Sequence, residues 1–134
     1  MIDIERDVFI TASRAVKAQY PDIYFTNEYV RTPPKFPCAS LEERDNRNDE
    51  FTQDSSSNEN TDTVIYELNV YSNKTSGKKS EAKSILNLLD TAMTDMGFTR
   101  TMMQPIPNME DATLYRITAR YIAVVDKNRN IYGR

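Results

Sequence analysis

Between Glu42 and Asp62 the chain runs twenty-one residues in which Phe51 is the one apolar side chain, and on both sides of this run the sequence reads as buried sheet. Such a stretch cannot bury enough apolar surface to offset its own ordering entropy, so it is expected to be a long, flexible hairpin loop projecting from a folded body. A body of this length has a radius of gyration of about 14 Å, and arms of roughly ten residues each reach about 33 Å when extended. Growing a loop from about five to about twenty residues costs only about 1.2 kcal/mol of closure entropy. The expected arm at about 42–62 is thus suited to contact with a partner and not to catalysis. Its candidate interface residues are Glu43, Asp45, Arg47, Asp49, Glu50 and Phe51.

At 134 residues the chain is expected to form one domain, 1–134, with one core. The net charge of -3 hides an uneven distribution: residues Glu42 to Asp62 hold eight acids against Arg44 and Arg47, and from Thr113 onward Arg116, Arg120, Lys127, Arg129 and Arg134 face only Asp126. An acidic arm and a basic C-terminal region on one molecule favour association of identical subunits. The competing reading, that both regions are simply solvated, stays open on sequence alone. Cys38 is the only cysteine, so no disulfide forms within the chain, and its neighbours Pro37 and Ala39 give it no activating charge. No apolar run has the length of a membrane span, and Met1 to Val8 is charged where a signal peptide would be apolar.

Periodicity gives the elements. Asp3 is placed to cap a first helix with Ile4, Val8, Ala12, Ala15 and Val16 on one side, stopped by Pro21. Ile23 to Val30 reads as a short strand, Pro33, Pro34 and Pro37 allow only an edge or an extended crossing, and strand character returns at Cys38 to Arg44. After the arm, Val64, Tyr66, Leu68 and Val70 alternate with Ile65, Glu67, Asn69 and Tyr71. Ala82, Ile85, Leu86, Leu89, Ala92, Met93 and Met96 then recur at helical spacing, and Gly97 with Phe98 over Met93 predicts a Schellman-type stop. Phe98 to Gln104 reads as a strand, Pro105 to Ala112 as a turn and Thr113 to Val125 as a long strand. Tyr115, Ile117, Ala119, Tyr121, Ala123 and Val125 share its core face. The fold class is therefore α+β, a mainly antiparallel sheet with two helices packed on one face. The other face shows Glu67, Asn69, Arg116 and Arg120 to water or to a neighbouring subunit, which adds Glu67, Arg116 and Arg120 to the candidate interface.

Chemistry finds little to work with. The chain has no histidine, the commonest general base and metal ligand, and its one cysteine has no partner. Ser72 to Ser80 lies between a strand and a helix as a phosphate-binding loop would, but Ser72 stands where the first glycine belongs and Lys79 where the magnesium-binding hydroxyl belongs. A turn capped by Ser76 is the better reading. Asp126, Asn128 and Asn130 open like a calcium loop, yet Ile131 replaces its glycine and the final glutamate is missing. Glu42, Glu43, Asp45, Asp49 and Glu50 could gather a hard cation, though in the part of the chain least able to hold fixed geometry. A metal-dependent nuclease or phosphohydrolase is the alternative they would support. Base stacking on Tyr66, Tyr115 or Tyr121 competes with their placement on the core face. No catalytic residue, cofactor or metal ligand is assigned, and the chain is not expected to be an enzyme.

Several stretches together resemble a known family. They are the polar run Ser55 to Asn60 leading into Thr63 to Tyr71, the helix ending in Gly97, Phe98, Thr99 and Arg100, the turn Pro105, Ile106, Pro107 and Asn108, and Tyr115 to Tyr121. In these the chain, from Tyr29 to Tyr132, is similar to the tail terminator proteins of long-tailed bacteriophages and related prophages, also called tail completion or tail-to-head joining proteins. The resemblance implies an α+β virion structural protein that assembles as a hexameric ring on the tail tube, ends its polymerisation and joins the tail to the head connector. Its implied partners are its own copies, the tail tube protein and the head connector or completion protein, with DNA passing through without specific binding and no membrane involved. Its implied location is the virion at the head-tail interface, reached from the host cytoplasm during assembly. Another small head-tail neck protein would share these habits of sequence. An acidic arm facing a central channel would repel passing DNA, but sequence does not place the arm on the lumen.

Overall fold

The two periodicities of the sequence separate cleanly in space. A computed structural model describes residues 1–48, 61–107 and 111–133. Helix α1 spans Glu5–Lys17 and α2 spans Lys78–Met96, and the strands are β1 (Tyr24–Thr26), β2 (Cys38–Asn48), β3 (Thr61–Ser72), β4 (Thr99–Ile106), β5 (Tyr115–Asp126) and β6 (Ile131–Tyr132). The sheet runs β1-β2-β3-β5-β4, with β6 added to β5. Only β1 and β2 are parallel; the other described pairs are antiparallel, as short connections require. The α+β reading holds.

Both helices cover one face of this sheet. Ile4, Val8, Ala12 and Val16, one per helical turn, are buried, as are Ala82, Ile85, Leu86, Leu89, Ala92 and Met93 of α2. They meet Val64, Tyr66, Leu68 and Val70 of β3 and Ile117, Ala119, Tyr121, Ala123 and Val125 of β5. Burying a leucine such as Leu68 from water stabilises by about 2 kcal/mol, so the alternating faces of β3 and β5 fix the register. Slipping either strand by one residue would turn all of these side chains outward. At the end of α2 the Phe98 N–H donates to Met93 O (3.0 Å) and the Gly97 N–H to Thr94 O (3.0 Å), the Schellman pair that the sequence predicts.

Several expectations are corrected. Glu42 to Asn48, expected as the first limb of a loop, continue β2, and Thr61 and Asp62 begin β3. Strand pairing satisfies backbone groups whatever the side chains are, and here Glu42 lies opposite Glu67, and Asn48 opposite Asp62. Residues 49–60, with Asp49, Glu50 and Phe51, lie outside the described residues, and the described ends of the expected arm are sheet. The strand expected over Ile23 to Val30 is only Tyr24–Thr26; beyond it the chain leaves the sheet edge, and Val30 joins a small cluster with Phe36, Cys38 and Tyr71. Pro105 and Ile106 belong to β4 and not to a turn, which proline tolerates because β4 is an edge strand. At the start of α1 the N-cap is Ile4; Asp3 Oδ1 accepts the Glu5 N–H (3.1 Å) from one residue further out. Ser76 does not cap α2, whose N-cap is Gly77 at φ 86 with no side-chain bond.

Candidate functional site

The face turned away from the helices carries a cross-strand lattice of charge. Arg120 on β5 and Glu67 on β3 are register partners, and their side chains meet at 3.4 Å. Glu67 also lies 3.9 Å from Arg44 of β2, which pairs with Glu42 at 3.1 Å. Arg116 donates to Asn69 Oδ1 from Nε (3.1 Å) and from an Nη (3.0 Å), while its guanidinium stands 5.4 Å from the centre of the Tyr71 ring. Under these long side chains Ser40, Asn69 and Thr118 are buried although no helix covers them, and Thr118 Oγ1 donates to Leu68 O (3.2 Å). Exposed pairs of this kind contribute about 0.2–1 kcal/mol each, so the lattice orders the face more than it stabilises the fold.

The bulge between Glu43 and Asp45 splits the expected interface residues. Past it Asp45 stands opposite Ile65 and Arg47 opposite Thr63, on the lattice side, and Asp45 and Arg47 pair with each other at 2.9 Å. Glu43 instead stands opposite Tyr66 and turns to the helix side. There Tyr66 Oη and Asn46 Nδ2 donate to Glu43 Oε1, each at 3.4 Å, and the Glu43 N–H donates to Glu5 Oε2 (3.3 Å). Burial, then the charges of Glu5 and Asp3, push the Glu43 carboxyl up to about 7. Next to it Asn46 Nδ2 donates to Ile2 O (2.9 Å) and the Ile2 N–H donates to Asp62 Oδ2 (2.9 Å). The N-terminal segment is thereby tied across β2 and β3. Sequence reasoning missed this polar end of the core, yet the signal was there: Ala39, Leu41 and Glu43 continue one alternation, and Asp62 precedes Val64 in the other.

A second network lies between α2 and β4. Tyr121 Oη, fully buried, donates to Asp90 Oδ1 (2.7 Å), and Arg100 closes on the same oxygen at 3.2 Å. Burial and the Asp90 hydrogen bond push the Tyr121 hydroxyl's pKa upward. Beside it an open groove of about 470 Å³ is lined by Lys83, Ser84, Asn87, Asp90, Arg100 and Met103. Among the described residues, its Ser84 hydroxyl accepts from the Tyr20 hydroxyl and its Asp90 carboxylate from Tyr121 and Arg100.

The motif-like stretches resolve into turns. Ser72 Oγ donates to Glu81 Oε1 (2.7 Å) and Lys78 Nζ to Ala112 O (3.3 Å), so the polar groups at the two ends of this loop are spent on their own chain. Asp126 accepts the N–H groups of Asn130 and Asn128 and the Tyr132 hydroxyl, contacts that hold its carboxyl below the usual range. It closes the β5–β6 turn. Cys38 is buried, and burial pushes its thiol up to about 11, a packing role. Among the described residues no group of three or more Asp, Glu, Cys or His side chains converges as metal ligands would. No described helix is long and apolar enough to cross a membrane.

A family model described as tail completion protein gp17 matches residues 9–127, from within α1 to just past β5. No curated protein matches the chain.

Proposed function

This chain belongs to the tail completion protein gp17 family, structural proteins of bacteriophage tails, and from that premise we propose that it forms a ring at the end of the tail tube, halts tube growth and joins the tail to the head connector. Family membership by itself gives the coarser statement, a tail completion protein located in the virion tail. What supports the finer one is the charged sheet face of Glu67, Arg116 and Arg120, a surface suited to contact with other subunits. The reading takes residues 1–134 as one unit that meets copies of itself, the tube protein and the head connector, and that lets DNA pass without binding it.

The surfaces suit this role better than they suit an enzyme. Glu67, Arg116 and Arg120 stand on one charged face of the sheet, and Asp45 and Arg47 extend it along β2. Charged faces select partners by complementarity, whereas catalysis needs a concave site with converging groups. On this reading the chain is not catalytic and does its work by contact, after assembly in the host cytoplasm.

The test is genetic complementation with electron microscopy. Particles made without this chain should show tails of irregular or excess length that do not join heads, and added protein should restore joining. Normal tails already attached to heads in its absence would refute the proposal.

A further inference from the structure

The sheet has two edges that run in opposite directions, and among the described strands their unpaired lengths match. Of the eleven residues of β2, three pair with β1 (Cys38, Ala39 and Ser40), which leaves Leu41 to Asn48 with β3 on one side and no described strand on the other. At the far end β4, eight residues long, pairs only with β5 among the described strands. An edge strand presents a row of backbone donors and acceptors ready to take another strand.

We propose that the open half of β2 in one copy of this chain pairs with β4 of the next copy, so that neighbouring subunits share one continuous sheet. This rests on the ring reading above and names the contact that builds the ring. Direction supports it. Strands β2, β3, β5 and β4 alternate in direction, so β4 runs opposite to β2. A next copy placed edge to edge in the same orientation sets its β2 antiparallel to β4, the more stable of the two pairings. The two edges lie at opposite ends of the sheet, so the contact is heterologous, the kind that propagates head to tail and closes into rings.

The open half of β2, Leu41 to Asn48, and β4 are each eight residues long, and their arginines are paired within the chain, Arg44 with Glu42, Arg47 with Asp45 and Arg100 with Asp90, so the match between the edges is one of length and direction. Pro105 lacks a donor, and the irregularity between Arg100 and Met102 bends the strand, so the β4 edge resists promiscuous pairing and an incoming strand must fit around both. One donor of β2, the Glu43 N–H, is already taken by Glu5. Met103, on the helix side of β4 and 42% exposed, lies in the groove whose missing wall the incoming strand supplies.

Asp45→Cys and Gln104→Cys place thiols on the lattice side of the two edges, and native Cys38 is buried. Phage tails carrying the double variant are treated with a short bis-maleimide and separated under denaturing conditions. The expected result is a shift from monomer to a ladder of linked chains. Mixed tails built from the two single variants should give a dimer holding one of each, and either single variant alone should stay monomeric. Linked dimers from one single variant alone, or only monomers from completed double-variant tails, would overturn the proposal. Arg47→Cys with Thr101→Cys is a second pair that decides the same point if the first variant fails to enter tails. Finished tails that never contain the wild-type chain would instead remove the tail role on which the pairing rests.

Discussion

Glu43 turns a structural oddity into a measurable slope. Its carboxyl is raised from an ordinary 4.5 to about 7, first by burial and then by Glu5 and Asp3. A shift of this size corresponds to about 3 kcal/mol, and solvent screening at a half-buried site lowers it to about 1–2 kcal/mol. The sign follows from linkage. Between pH 4.5 and 7 the folded protein holds a proton that the unfolded chain has released, so stability falls as pH rises through this window and the loss is complete above it. The chain contains no histidine, so no imidazole titrates there, and Asp111 and Asp126, whose pKa values are lowered, act only at more acid pH. Glu43→Gln keeps an oxygen to accept from Tyr66 and Asn46 while removing the charge. Urea denaturation of both proteins, followed by circular dichroism from pH 4.5 to 8, should show the variant more stable by about 1–2 kcal/mol at pH 8 and equal at the acid end, with the slope gone. An unchanged slope, or a variant less stable at pH 8, would refute the reasoning.

Two further substitutions probe the frame. Gly97 sits at φ +112, and a Cβ there would lie 2.7 Å from the Ile131 carbonyl oxygen, whereas at Gly77, φ +86, nothing lies within 4 Å. Gly97→Ala should lose at least about 2 kcal/mol and Gly77→Ala about 1 kcal/mol; equal losses in thermal melts would show that the Ile131 contact does not matter. Tyr121→Phe removes the bond to Asp90 and leaves Arg100 on the same carboxylate. It should cost about 1 kcal/mol in urea denaturation, and a neutral result would mean that the buried hydroxyl contributes nothing.

Much of the fold was legible because local period and burial agree. The repeat Val64, Tyr66, Leu68, Val70, the helical spacing from Ala82 to Met93 and the stop at Gly97 each state which face goes inward, and each went there. The family resemblance, carried by the same stretches, is borne out by the family match. The polar run was legible only in part: composition marked it as unable to build a core, but Glu42 to Asn48 are strand all the same. Of the expected contact residues, Glu67, Arg116 and Arg120 stand on one face, while Asp49, Glu50 and Phe51 lie outside the described residues.

The order of apolar and polar residues along the chain, by itself, determined which segments are helix or strand and which sides are buried, because burial period is a local property of the backbone. Strand order, register and the bulge after Glu43 came from tertiary structure alone, since they depend on which distant segments meet. The bulge moved Asp45 and Arg47 to the open face, while Glu43, before it, keeps the alternation of Ala39 and Leu41 and faces the helix side. Whether an acid is a solvated charge or a half-buried one near pH 7 is settled by what packs against it, and no spacing along the chain encodes that.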